Sequence, residues 1–266
     1  SDIRIGILGT GGIAGTHAKN LERIPGVRIV ALCNRHLEKA EKFNQRHGGG
    51  AKCFDNFQKM LEEVEMDALY VCMPPGCHNG EVEAAAARGI HLFLEKPIAL
   101  DIARAQSMAD AVKSSGVKCQ IGHHLRASEP VRKLKQMIRD GSAGRPLLMQ
   151  ARWFCNSLYG DWWRDPEIGG GQLIEQAIHI YDLTRYFFGD VDVVTGFRGN
   201  LGHARFPQYR VDALVSSTIR FRNGAIASIC ASNAAEPCAW SVCATVIFEK
   251  VVVDLAAHGV GLARDH

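Results

Sequence analysis

The run Gly9-Thr10-Gly11-Gly12-Ile13-Ala14 follows a β-branched stretch, Ile3-Arg4-Ile5-Gly6-Ile7-Leu8, and leads into a helical pattern. No other feature constrains the chain as strongly, because G-x-G-x-x-G/A between a strand and a helix is the turn that seats a dinucleotide pyrophosphate on a helix N-terminus. Gly9 permits the tight turn, Gly11 lets backbone N–H groups approach the phosphates, and Ala14 allows close packing of helix on strand. Thr10, Gly12 and Ile13 complete the loop and are cofactor-binding candidates with them. The plainer alternative is a glycine-rich turn that holds no ligand.

From residue 3 to about residue 121, short apolar runs at 3–8, 27–33, 68–73, 91–94 and 118–122 alternate with amphipathic stretches. Strands separated by helical crossovers pair in parallel, which predicts an α/β Rossmann domain with a doubly wound sheet over residues 1–122. A helix is expected over 101–115, capped by Asp101 and stopped by Gly116, and another over 130–140, stopped by Gly141. The second half has a different texture. Strand-like runs at 147–153, 191–198, 211–221, 225–232, 242–248 and 251–255 surround one strong helix at 171–188. This predicts an α+β domain over 123–266 with a largely antiparallel open sheet, serving substrate binding and oligomerisation.

An NAD-specific site places Asp or Glu at the end of the second strand, against the ribose hydroxyls. Here the residues are Cys33-Asn34-Arg35-His36. With no carboxylate to repel a 2′-phosphate, Arg35 is a candidate partner for one, Asn34 for the ribose, and Lys39 for support from the following helix. The expected cofactor is NADP, with NAD as the alternative.

Composition excludes other classes. The 31 Lys and Arg against 28 Asp and Glu leave a net charge of +3 with no block of like charge, so there is no electrostatic case for nucleic acid. Hydrophobic residues at 47% and charged residues at 22% suit a globular chain, and no apolar run approaches the roughly 18 residues of a membrane span. The nine cysteines are odd in number and scattered without a C-x-x-C pair, which reads as a reduced, cytoplasmic chain with no metal site. The first residues do not resemble a secretory leader, and the start at Ser1 reads as processing or a tag remnant.

Five elements in order resemble the Gfo/Idh/MocA family, which includes glucose-fructose oxidoreductase and inositol dehydrogenases. They are the glycine turn, Met73-Pro74-Pro75-Gly76-Cys77-His78, Glu95-Lys96-Pro97, Gly144-Arg145-Pro146, and Gly169-Gly170-Gly171 leading to Glu175 and His179. The resemblance implies a nicotinamide-dependent dehydrogenase or reductase acting on a carbinol carbon of a sugar, sugar derivative or cyclitol. It also implies a homodimer or homotetramer formed through the C-terminal sheet. Lys96 matches the catalytic lysine, and Glu95 the residue against the nicotinamide ribose. Met73, Pro74 and His78 match the loop beside the cofactor. Chemistry supports Lys96 independently, since a hydroxyl that loses hydride must also lose its proton to a group within about 3 Å.

Glu175 and His179 stand four apart on one helix and share a face, with Asp182 on a nearby azimuth and Leu173, Ile174, Ala177 and Ile178 on the others. Taken alone, that pattern also fits a surface ion pair. The resemblance makes His179 the acid or base on the reacting hydroxyl and Glu175 its orienting carboxylate. The Glu departs from the Asp usual in the family's sugar dehydrogenases and shifts the carboxylate by about 1 Å, enough to change which hydroxyl is presented. Arg126, in Gly122-His123-His124-Leu125-Arg126, resembles a cleft-lining segment. Trp163-Arg164 resembles a pair at the nicotinamide end of NADP, and Tyr159 and Trp162 are candidate sugar-stacking aromatics beside Asp161. The chain stops at His266, sooner than most of the family. Two alternatives remain at this point: a redox-neutral NAD-dependent glycosidase and a non-catalytic dinucleotide or sugar sensor.

Overall fold

The computed structural model describes residues 2–47, 49–156, 160–203, 206, 208–235 and 240–256, and the backbone of 261–265. The chain divides into two compact units, residues 1–122 and 123–266.

In the first unit β1 (Ile3–Leu8), α1 (Gly12–Leu21), β2 (Val27–Cys33), α2 (Leu37–Arg46), β3 (Lys52–Phe54) and α3 (Phe57–Glu63) are followed by a second series. That series is β4 (Ala68–Val71), α4 (Glu81–Ala87), β5 (His91–Leu94), α5 (Ile102–Ser115) and β6 (Cys119–Ile121). All six strands pair in parallel in the order β3-β2-β1-β4-β5-β6. The chain order reverses between β1 and β4, and in such sheets that reversal opens a crevice at the carboxyl ends of the strands. One face of β1 and β2 buries Ile5, Ile7 and Leu32 against Ala14, Ala18 and Leu21 of α1 and Phe43 of α2. The other face packs Leu69, Val71 and Leu92 against α3, α4 and α5. Asp101 caps α5 by accepting from the Arg104 N–H at 2.8 Å, and Gly116 ends the helix at φ +71°. The sequence reading missed β3, whose three residues are too short for a periodic signal.

The second unit contains α6 (Glu129–Arg139), β7 (Pro146–Phe154), a π-helical turn Gln172–Ala177 and α7 (Ile178–Phe188). After them come β8 (Val191–Gly199), β9 (Leu214–Phe221), β10 (Ile226–Ser232), β11 (Ser241–Phe248), β12 (Val251–Ala256) and β13 (Gly261–Asp265). The sheet order is β13-β12-β11-β7-β10-β9-β8, antiparallel throughout except for the β7–β10 pair. Alternate residues such as Met149, Ala151 and Trp153 of β7 and Val242, Ala244 and Val246 of β11 bury one face against Ile180, Leu183, Phe187 and Phe188 of α7. Three expectations need correction. The strand foreseen from residue 211 begins at Leu214, because Asp212 is bonded to the start of the π-helical turn. The helix foreseen over 171–188 opens with that π turn rather than as a uniform α-helix. β13, whose run lies beyond the last one foreseen, adds an edge strand.

Candidate active site

The glycine turn is held from both sides. The Gly9 N–H donates to the Cys33 carbonyl at 2.9 Å, and the Cys72 N–H donates to Leu8 at 2.7 Å, so the loop hangs between the ends of β2 and β4. Gly9 sits at φ +88°, and a Cβ there would lie 2.3 Å from the Cys72 carbonyl oxygen, which leaves glycine as the residue that fits. A Cβ on Gly11 or Gly12 would meet nothing within 4 Å. The α1 N-terminus thus has clear space over its first turn, no acidic residue there and no side-chain cap, a setting that suits an anionic pyrophosphate. Thr10 accepts from the Asn34 side chain at 2.8 Å, which ties the loop to the end of β2. Burial raises the thiol of Cys33 to about 11 and that of Cys72 further still, so both stay protonated as packing groups.

Asn34 also accepts from the His36 N–H at 3.0 Å, and Arg35 and Lys39 are exposed. Met73 and Pro74 follow β4, half-buried, and Ile13 is exposed on α1. His78 is held within the protein. Its side chain is 3% exposed and bonded through Nδ1 to Glu81, which also accepts the Asn79 N–H at 2.7 Å at the start of α4. Burial opposes ionisation of Glu81, but the bonds from His78 and Asn79 outweigh it and hold the carboxyl below its ordinary range.

Lys96 follows the carboxyl end of β5, half-buried. Glu95 accepts from His17 of α1, Nε2 to Oε1 at 2.6 Å, and from the Lys96 N–H at 3.2 Å. Nothing in the sequence marked His17, because its partner lies 78 residues away.

In the second unit Glu175 and His179 are 9% and 4% exposed, which sets aside the surface ion pair. The π turn packs against β9 and β10 and takes Glu175 into the interior. The His179 ring stacks on Trp153 at 5.2 Å and 21°, and meets the His124 ring edge-on at 4.5 Å. His124 belongs to the segment read as cleft-lining, whereas Trp153 was not singled out from the sequence, although period-two burial along β7 puts it on the inner face. Asp182 lies a turn further on and holds Arg126 through two bonds, one of 2.7 Å, with the His123 ring at 3.6 Å. The Arg126 guanidinium also lies 4.7 Å over the Tyr186 ring, so this candidate substrate ligand is already engaged within the protein.

Asp212 caps the π turn. Its Oδ2 accepts the Leu173 N–H at 2.8 Å and its carbonyl accepts the Gln172 N–H at 3.1 Å. Behind it, Tyr209 donates to the Asp212 carbonyl at 3.1 Å and accepts from Asn233 at 2.9 Å, and Asn233 meets His203 at 3.1 Å. Burial pushes the Tyr209 phenol up to about 12.

Trp163 is fully buried and packs with Tyr209, Val211 and Ala213. Arg164 pairs with Asp161 at 3.4 Å, and Trp162 is 37% exposed. Tyr159 lies outside the described residues. Among the described residues, no group of three His, Cys, Asp or Glu is placed to hold a metal, and no helix is long and apolar enough to cross a membrane.

A parallel sheet in 3-2-1-4-5-6 order with a glycine turn after its first strand defines a dinucleotide-binding fold. A family model described as "Oxidoreductase family, NAD-binding Rossmann fold" matches residues 3–123, and the GFO/IDH/MocA C-terminal domain matches residues 131–253. The chain belongs to the Gfo/Idh/MocA family of oxidoreductases. It is 28% identical over 237 residues to scyllo-inositol 2-dehydrogenase (NAD(+)) of Bacillus subtilis, covering 87% of this chain and 67% of that protein. It is 28% identical over 242 residues to D-glucoside 3-dehydrogenase of Escherichia coli, covering 85% and 69%. Against other curated relatives it spans 65% of YrbE of Bacillus subtilis and 55% of myo-inositol 2-dehydrogenase of Thermotoga maritima. Among solved structures, the WlbA dehydrogenase from Bordetella pertussis in complex with NADH and UDP-GlcNAcA shares the fold. Its TM-score is 0.89 at 24% identity, over all of this chain and 82% of that one. Levoglucosan dehydrogenase with NADH and levoglucosan superimposes with a TM-score of 0.88 at 21% identity, over 97% and 74%.

Proposed function

We propose that the protein is an NAD(P)-dependent oxidoreductase acting on a CH–OH carbon of a sugar, sugar derivative or cyclitol. The observation that carries this reading is Lys96 at the carboxyl end of β5, on the same sheet edge as the open glycine turn after β1. A bound nicotinamide supplies the hydride acceptor or donor. The chain's own residues do the rest: Gly9, Gly11 and the α1 N-terminus hold the pyrophosphate, and Lys96 and His179 exchange the proton of the reacting hydroxyl. Glu175 orients His179, and Trp153 fixes the plane of the His179 ring. The relatives named above act on cyclitols and glucosides, which supports this substrate class.

NADP is the favoured cofactor. Several relatives are named or solved with NAD or NADH, but this chain ends β2 with Asn34 and the exposed Arg35 where an NAD site places a carboxylate. Titration with NADPH and NADH, followed by nicotinamide fluorescence, should show tighter NADPH, and Arg35→Ala should remove the difference. Turnover of scyllo-inositol, myo-inositol, levoglucosan and methyl glucoside, read at the nicotinamide absorbance, tests the activity. Lys96→Ala and His179→Ala should each lower turnover by about two to four orders of magnitude. Unchanged turnover in both would overturn the mechanism. NAD retained stoichiometrically with no net turnover would replace it by redox-neutral glycoside cleavage.

The exposed face and edge of the second sheet support self-association. Val193 and Phe197 of β8 are 48% and 88% exposed, and Ile226 pairs with Leu148 on the same face. Sedimentation should show a dimer or tetramer that Phe197→Asp weakens. The eight described cysteines are free thiols, in keeping with a cytoplasmic location.

A further inference from the structure

We propose that His17 is a positioning residue for Lys96, clamping the Glu95 carboxylate and thereby tying the lysine's turn to the helix that opens the dinucleotide loop. The inference rests on the reading of Lys96 given above. His17 lies on α1, and its side chain is 17% exposed against 10% for Glu95, so the 2.6 Å bond between them is largely shielded from water. Shielding makes such a bond stronger and its loss more costly than at the surface. The imidazole is itself fixed, edge-to-face against Tyr70 at 5.4 Å and Phe93 at 4.9 Å. These two rings stack on each other at 4.7 Å from paired positions on β4 and β5.

The carboxylate has little freedom left. One oxygen meets His17 and the other accepts the backbone N–H of Lys96 at 3.2 Å. Gly122, at the end of β6, presses against it so closely that a Cβ there would lie 3.1 Å from Oε1. Gly122 in turn donates its N–H to Leu94 at 2.8 Å, directly before Glu95. The Lys96 backbone is therefore set by a carboxylate gripped from α1 and backed by β6. A displacement of α1 as its N-terminus takes up a pyrophosphate would be transmitted through His17 to the position of Lys96. A lysine that must reach one hydroxyl within about 3 Å is sensitive to such a shift.

The test compares His17→Leu, which removes the donor, with His17→Gln, which keeps an N–H at similar reach. Two readouts are used. Hydrogen exchange at the Lys96 amide should quicken about 10-fold or more in His17→Leu and stay near wild type in His17→Gln. Turnover of whichever compound in the panel above reacts fastest should fall about 10- to 100-fold in His17→Leu, with NADH affinity held within about 3-fold, and should largely recover in His17→Gln. A merely structural histidine would not separate turnover from cofactor affinity, nor be rescued by the amide. Should His17→Leu fail to fold, Glu95→Gln weakens the same bond and should quicken the same amide. Unchanged exchange at Lys96 in folded His17→Leu, or in Glu95→Gln where that variant stands in for it, overturns the proposal, whatever the activity. Quickened exchange in His17→Leu, with a wild type that turns over none of the panel, would uphold the clamp and overturn the oxidoreductase reading instead.

Discussion

Asp212 caps from a distance the helix that bears Glu175 and His179, with its Oδ2 2.8 Å from the Leu173 N–H. Asp212→Ala leaves the Leu173 N–H unsatisfied and should cost about 1–2 kcal/mol of stability, measured by urea unfolding. Burial lifts the Asp212 carboxyl above its ordinary value of 3.8, against help from the Leu173 N–H and Arg198. The folded chain therefore holds a proton that the unfolded chain has released, between the two values. The stability linked to it is complete below about 3.8 and is lost as pH rises through the folded value. Wild type should gain on Asp212→Asn as pH falls toward 4, and a difference independent of pH would count against this account.

Glu81 has the opposite sign. Its carboxyl is held below the ordinary 4.5 by His78 and Asn79 despite burial. That stability is present above 4.5 and lost as pH falls through the folded value. Glu81→Gln should lower the neutral-pH stability by about 1–3 kcal/mol and flatten the acid limb of the unfolding profile. Retention of the full acid limb in the variant would show that Glu81 does not produce it.

Gly9 and Gly11 should separate folding from binding. Gly9→Ala meets the Cys72 carbonyl at 2.3 Å in a left-handed conformation and should destabilise by about 1–3 kcal/mol. Gly11→Ala meets no protein atom within 4 Å and should fold with an unchanged Tm, yet weaken NADH and NADPH binding because the methyl stands where the phosphates approach. Full binding by a folded Gly11→Ala would place the pyrophosphate elsewhere.

Trp163 is a test of packing. Trp163→Ala should cost about 3–5 kcal/mol, as expected for a fully buried tryptophan. Trp163→Phe, folded, should bind NADH and NADPH as wild type does. A selective loss of dinucleotide affinity in the phenylalanine variant would restore Trp163 to the cofactor site.

The parallel sheet was legible because every strand but β3 leaves a local trace, a short apolar run followed by an amphipathic stretch such as the helix between Asp101 and Gly116. The glycine turn was legible for the same reason. What escaped is non-local. His17 meets Glu95 across 78 residues, Arg126 meets Asp182 across 56, and Leu173 meets Asp212 across 39. Such pairs leave no periodic signal, so the sequence shows the residue types but not who holds whom. The burial of Trp163 and the bond of His78 to Glu81 were equally hidden, because neither a packed loop nor a helix-start pair leaves a periodic trace.

The π-helical turn from Gln172 to Ala177 carries, in effect, one residue more than an α-helical turn of the same height. Loss of a single residue between Glu175 and His179 would let this stretch relax into a continuous α-helix. His179, Asp182 and the apolar positions of α7 would keep their places, while the side chains inside the turn, Glu175 among them, would change azimuth. Length variation here would thus redirect the Glu175 side chain while leaving His179 and the apolar face of α7 in register.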